Sequence, residues 1–398
     1  MNDQYVLIGI DGGATKVSAW IINRDEEENS YALGENHAEC AYADIPGFSL
    51  DFKPVPIPQQ LEDYHKNEPA ATAAEQSQAQ TYIEACARVI IQLAEEIKRN
   101  NVLVGIGMPG LKTKDRRGIA VLANGPRIFN YATAVESKVK SRGIKFLKPI
   151  AHIGSDADYC GIGEKYARTG SLKDIPNAYY LGGGTGAADA LLINETLIPF
   201  DQTKKWLAKT WEMKNDLGKS LERYASASGI QFLYSQHSGI SIESLYRDKI
   251  YPLDIANRAL MGEKEALATM NEITEYLALL LYERITTLFC GSQNLFQFVN
   301  EKREPLETEH PYQGTLLDRI VIGQRLGDLI GSRVGIEMLT KPIVKRLSAL
   351  IDTSEYLTET AKAHYLHGNQ LKDHILFSSP LREAPALGAG IDAYLSSE

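Results

Sequence analysis

Cysteine is scarce in this chain: four in 398 residues, at Cys40, Cys86, Cys160 and Cys290. No two have the spacing of a disulfide framework, a zinc ribbon or a redox motif. Long hydrophobic runs are absent as well; none approaches the ~20 residues that a membrane-spanning helix needs. Positive charge is not in excess, because the net charge is −9. That argues against a nucleic-acid partner, which requires a basic face. An anionic ligand must then be held by local amides, cations or metal rather than by the overall field. No N-terminal stretch has the form of a signal peptide, since the first strand begins near Tyr5. The expected setting is the cytoplasm, away from membranes. What is present is typical of a soluble globular protein, with 44% hydrophobic and 23% charged residues. The length predicts two domains rather than one core.

The N-terminus carries the clearest motif. The apolar run Tyr5 to Ile10 reads as a buried strand, and Val17 to Ile22 as its antiparallel return. Between them lie Asp11, Gly12, Gly13, Ala14, Thr15 and Lys16. Gly12 and Gly13 permit a tight turn whose amides approach a ligand closely. Successive amides in such a turn form an anion nest. Thr15 offers a hydroxyl donor, Lys16 a positive charge, and Asp11 a carboxylate suited to a hydrated magnesium ion. The design is neither a P-loop nor a Rossmann fingerprint. Its plain alternative is an ordinary hairpin turn.

Further along, Ala38 to Tyr42 reads as a third strand and Ala70 to Arg99 as a long helix with one apolar face. Residues 43–69, rich in proline and polar groups, read as a surface insertion, either a plain loop or a lid. Val102 to Gly107 and Gly118 to Ala123 are predicted strands, and Tyr131 to Arg142 a helix. A short strand ends at His152 to Asp156, with a helix over Ala157 to Thr169. The second half repeats the opening: strand Ala178 to Leu181, turn Gly182 to Gly186, return strand Ala187 to Ile193. Residues 219–291 are predicted mainly helical, Arg319 to Gly323 and Ile375 to Phe377 as strands, and Ala384 to Leu395 as a last helix, with coil between them. A hairpin used twice implies two related α/β domains.

Asp156 is the candidate general base. A carboxylate at a strand end, just before a helix, can take the proton of a hydroxyl as a phosphoryl group moves onto it. The alternative is a helix cap. Asp189, close after the second turn, would repel phosphates if it faced them. Alternation along the strand favours its pointing away.

In order along the chain, these markers resemble the ROK family of sugar kinases, within the actin-like ATPase and hexokinase superfamily. Asp11 to Lys16 is similar to the family's first phosphate motif, with Ala14 where glycine is usual. Gly105 to Gly110, then Asn124-Gly125-Pro126, resembles the sugar-side segment. Ser155-Asp156-Ala157 with Gly163-Glu164 resembles the catalytic segment, with serine in place of asparagine. Gly184-Thr185-Gly186 resembles the second phosphate motif, and Leu221 to Ser226 a further signature. Ile322-Gly323 with Leu326-Gly327, then Leu387-Gly388-Ala389, resembles the adenosine side.

The resemblance implies an α/β fold of two ribonuclease-H-like domains flanking a cleft, over residues 1–150 and 151–398, with the last helix able to pack on the first domain. It implies Asp156 as base and ATP with magnesium held by Asp11, Gly12, Gly13, Thr15, Lys16, Gly184, Thr185 and Gly186. Gly323 and Gly327 fall on the adenosine side; Gly110, Asn124 and Asp156 on the acceptor side. A homodimer is the expectation of the resemblance alone. The chain departs from the family where a glutamate, a histidine and a cysteine-rich zinc site usually follow. No cysteine occurs between Gly186 and Leu221, so a structural zinc is not expected. Glu212 and Asn215 are the nearest counterparts of the glutamate and histidine. The alternative for that stretch is a plain helix start. The expected function is ATP-dependent phosphorylation of a sugar or polyol hydroxyl. The rivals are a nucleotide-binding ATPase and a sugar-sensing regulator.

Overall fold

A computed structural model describes residues 5–66 and 70–397 of the chain. It divides into two compact units, Met1–Thr169 with Glu383–Glu398, and Gly170–Arg382. The division falls at 170 rather than 151, so the Asp156 segment belongs to the first unit. The last helix belongs there too.

The first unit is built on strands β1 (Val6–Gly12), β2 (Lys16–Asp25), β3 (Ser30–Ala41), β4 (Asn101–Gly107), β5 (Lys145–Phe146) and β6 (Ile153–Gly154). Their order is β3-β2-β1-β4-β5, with β6 also on β4. The first three strands are antiparallel neighbours, while β1–β4, β4–β5 and β4–β6 are parallel. Helices α1 (Ile57–Lys66), α2 (Ala73–Glu96), α3 (Tyr131–Lys140) and α4 (Asp156–Tyr166) complete it with the Ala384–Leu395 helix. Ile8, Ile10, Val104 and Ile106 share one core with Ile83, Ile90 and Val135 of α2 and α3. The other sheet face is lined by glycine for a reason. A methyl at Gly9 would overlap the Ala386 carbonyl, and one at Gly105 the Ala389 carbonyl. Glycine weakens a strand interior, but here it lets a helix backbone lie directly on β1 and β4.

Residues 43–66 are not simply loop. They contain α1, whose buried Gln60 donates to the Leu122 carbonyl at 3.1 Å and accepts from the Leu122 amide at 2.8 Å. Proline-rich flanks hid a helix that is anchored by this amide side chain and by the Asp63–Arg127 ion pair. The end of the insertion, 67–69, lies outside the described residues.

The second unit repeats the plan with β7 (Ala178–Gly183), β8 (Ala187–Ile193), β9 (Thr196–Ile198), β10 (Arg319–Gly323) and β11 (Leu376–Ser378). The order is β9-β8-β7-β10-β11, again antiparallel, antiparallel, parallel, parallel. Its core centres on α5 (Lys264–Cys290), with Met270, Ile273, Leu277, Leu281 and Ile285 buried at helical spacing. The stretch between β10 and β11, expected as coil, contains α6 (Gln324–Gly331) and the Lys341–Asp352 and Glu359–Tyr365 helices. No helix among the described residues is long and apolar enough to cross a membrane.

Candidate active site

The first glycine turn joins β1 to β2. It closes through the Gly13 amide, which donates to the Lys16 carbonyl at 2.9 Å. Tyr42 fastens it from behind: its amide donates to the Thr15 carbonyl (3.1 Å) and its hydroxyl to the Gly13 carbonyl (3.2 Å). Tyr42 is itself stacked on Tyr82. Gly12 must be small because a side chain there would drive into Met108. The amides of Ala14 and Thr15 take no part in closing the turn, and both residues are exposed. Lys16 is exposed too and forms an ion pair with Glu39 at 2.6 Å. Its charge at the turn is therefore partly balanced from β3.

Asp11, next to last in β1, is opposite Gly107 of β4, and Gly107 is opposite Gly154 of β6. Asp156 follows two residues after β6. Both acids thus lie at the carboxyl end of one sheet, where ligands of α/β proteins collect. Burial, then the charges of Asp156 and Glu383, push the Asp11 carboxyl up to about 7, against a smaller opposing effect of Lys16. Ser155 is the cap of α4, and Asp156 is its first residue. The Asp156 carboxylate accepts from the Ala157 amide at 3.0 Å and remains partly exposed.

Gly110 has a left-handed backbone, φ 87°, and no room for a side chain beside the Val121 carbonyl. Lys112 wraps that bend, donating to the Met108 and Gly110 carbonyls. Asn124 is exposed on the loop after the Ile119–Val121 strand. That loop is held by Gln60 on one side and by Arg127 on the other. Arg127 is buried, forming ion pairs with Glu75 and Asp63, both at 2.7 Å.

In the second unit the Gly184 amide donates to the Gly186 carbonyl at 2.9 Å, closing the second turn. The Ala227 amide, at the start of a helix, donates to the Gly184 carbonyl. Glu222 lies under the turn and accepts from the Ala187 amide at 3.1 Å. Thr185 is at the exposed tip. Gly323 is in register with Gly182, so this turn and the residues flagged for the adenosine side share one strand end. Gly327 is buried against the Ile322 carbonyl.

Three other residues have defined roles. Asp189 is buried in the core of the second unit. It accepts from the Tyr179 hydroxyl (2.6 Å), from the Thr210 amide and hydroxyl, and from Arg284 at 3.3 Å. Glu212 accepts from the Lys209 amide and forms an ion pair with Arg303 at 2.9 Å. Asn215 is buried, donating to the Tyr224 hydroxyl and accepting from the Lys219 amide. Among the described residues no group of three or more His, Cys, Asp or Glu side chains is placed to hold a metal ion directly.

No family model and no curated protein matches this sequence. Solved structures do share its fold. A ROK-family glucokinase from Streptomyces griseus, in complex with glucose and AMPPNP, matches with a TM-score of 0.58 and 16% identity, over 98% of this chain and 99% of that one. A ROK-family transcriptional regulator, a homologue of the E. coli MLC protein, also scores 0.58, with 12% identity over 98% of this chain and 79% of that one. A glucokinase from Parabacteroides distasonis scores 0.52 with 15% identity, over 99% and 98%.

The fold is the one these solved structures share. At these identities the likeness establishes the fold alone, and it spans both kinases and a regulator. Sequence reasoning passed over Arg325. It stands between Gly323 and Gly327, and its guanidinium donates to the Thr185 hydroxyl at 2.7 Å. A cation set between two flagged glycines was the available signal. Glu383 was also missed, because its proximity to Asp11 depends on the return of the last helix.

Proposed function

We propose that this protein transfers the γ-phosphoryl group of ATP to a hydroxyl of a sugar or sugar-like polyol. The observation that carries the reading is the placement of Asp156 beside Asp11, at the strand end where the first glycine turn begins. In the proposed step the acceptor oxygen forms a bond to the γ-phosphorus and the bond to the bridging oxygen breaks. ADP leaves, and Asp156 takes the hydroxyl proton. In this reading each glycine turn is by itself a source of donors to phosphate oxygens, Gly12, Gly13, Thr15 and Lys16 in the first unit and Gly184, Thr185 and Gly186 in the second. Gly323 and Gly327 let the nucleoside approach the backbone. Gly110 and Asn124 face the acceptor. Glu212 and Asn215 belong to the acceptor site in this reading, though each must share or give up the structural bonds described above.

Magnesium fits the first turn. Like charges raise the proton affinity of Asp11, and a hydrated cation would relieve that repulsion. Asp11 would hold it through water, as magnesium prefers few carboxylates and several waters. When bound, it supplies charge neutralisation at the β- and γ-phosphates.

The test is ADP release measured across hexoses, amino sugars, N-acetyl sugars and cyclitols. One compound is expected to stimulate release. Asp156→Ala should cut that turnover by roughly 10²-fold or more, with nucleotide binding kept. Full turnover in Asp156→Ala would remove the base. Hydrolysis indifferent to every compound would favour an ATPase. Nucleotide or sugar binding with no ADP release would favour a regulator, the reading to which the transcriptional relative of this fold gives weight.

A further inference from the structure

Arg325 is the second residue of α6, after Gly323 and Gln324. Gln324 has a left-handed backbone, φ 58°. Its side chain stands close to Gly184, where an added methyl would come within 2.8 Å of its amide oxygen. Gln324 and Arg325 together wrap one side of the second glycine turn. Arg325 is exposed, yet its guanidinium reaches across to the hydroxyl at the turn's tip. Among the described residues no carboxylate forms an ion pair with it. The nearby charge is instead another arginine: desolvation first, and then Arg382, lower its proton affinity. Arg382 in turn lies 3.7 Å from Asp328.

A guanidinium with no carboxylate against it leaves its charge open to an added anion. Here it is tied to the tip of a glycine turn, the kind of turn whose amides can receive an anion. In a chain of net charge −9, such a local cation is the means of attracting a polyanion. We infer that Arg325 is a phosphate ligand of the nucleotide, oriented by Thr185, and that it makes the site prefer nucleotides carrying a phosphate chain over the bare nucleoside. This assignment rests on the proposed kinase reading. A guanidinium suits the task because its planar fork presents several donors, and the bond to Thr185 uses only one. Thr185 then has two roles, as a hydroxyl donor at the turn and as the acceptor that fixes the direction of Arg325.

Calorimetric titration of the full chain with ATP, ADP, AMP and adenosine tests this. Arg325→Met keeps the stem and removes the charge. It should weaken ATP binding about 10- to 100-fold, the scale of charge-assisted hydrogen bonds, and leave adenosine within about twofold. Arg325→Lys should fall between, because it keeps the charge but not the fork. Equal ATP affinity in the wild-type and Met proteins overturns the assignment. So does an equal loss for ATP and adenosine, which would mean that Arg325 packs on the base or the fold. If the wild-type protein binds no ATP, the kinase reading fails and takes this assignment with it. Wild-type binding of ATP with no loss in Arg325→Met overturns the Arg325 assignment alone and leaves the kinase reading standing.

Discussion

At the scale of single residues, the three aspartates Asp11, Asp156 and Asp189 illustrate how environment assigns a role. Asp189 is neutralised by a buried arginine and three hydrogen-bond donors, so it is part of the packing. Asp156 keeps part of its surface open. Asp11 is destabilised as an anion by burial and by like charge. Its folded value of about 7 lies above its ordinary 3.8. The contribution to stability is therefore full below about pH 4 and is lost as the pH rises through 7. In buffer with a chelator, Asp11→Asn should escape that loss and be more stable than wild type at pH 8, by an amount on the order of a few kcal/mol. Urea midpoints at pH 5 and pH 8 measure it. Parallel pH dependence in the two proteins would show that the carboxyl is not strained. Added magnesium should narrow the gap at pH 8.

At the scale of elements, the insertion over 43–66 acts as a brace. Thr72 caps α2 in a reciprocal box with Glu75, and Glu75 also accepts both Nε and Nη2 of Arg127 at 2.7 Å. Arg127 ties α1, through Asp63, and α2 to the loop that carries Asn124. Breaking a buried pair leaves the remaining charge unpaired. Arg127→Ala should therefore cost about 3–5 kcal/mol in urea unfolding, with Arg127→Met no better because Glu75 stays buried. Burial alone would raise the Glu75 carboxyl. The hydrogen bonds from Arg127 and Thr72 outweigh it and hold the group below its ordinary range. Its stabilising effect is present above pH ~4.5 and lost as the pH falls below that. The variant should therefore show a shallower acid transition than wild type. A loss below 1 kcal/mol would mean that the brace is ornamental.

At the scale of the whole molecule, the last helix is an inseparable part of the first unit. Asp392 accepts from the Tyr159 hydroxyl at 3.0 Å and pairs with His152 at 2.7 Å, binding that helix to α4 and the segment before it. Beneath it, Gly9 and Gly105 meet helix backbone rather than side chains. Gly9→Ala should cost about 1–3 kcal/mol or more, since a carbonyl cannot rotate aside. Gly184→Ala would meet only the end of the Gln324 side chain and should leave the melting temperature almost unchanged. Equal melting temperatures for Gly9→Ala and wild type would show that the helix can lift away.

Much of this was legible in the chain. Strand–glycine–strand hairpins are local, and Val6–Gly12 with Lys16–Asp25, or Ala178–Gly183 with Ala187–Ile193, appear where apolar runs and glycines demand them. Ala384–Leu395 was visible in full as a helix, but its place was not. The helices at 57–66 and between β10 and β11 escaped notice because their anchors, such as Gln60 on Leu122, are distant in sequence. Local patterns specify turns, strands and the repeated hairpin, since those depend on neighbours a few positions apart. Strand alternation already favoured Asp189 pointing away, but its partners, the grouping of Asp11 with Asp156 and Glu383, and the reach of Arg325 to Thr185 required the folded chain. Register and helix return set them, through contacts between residues far apart in sequence.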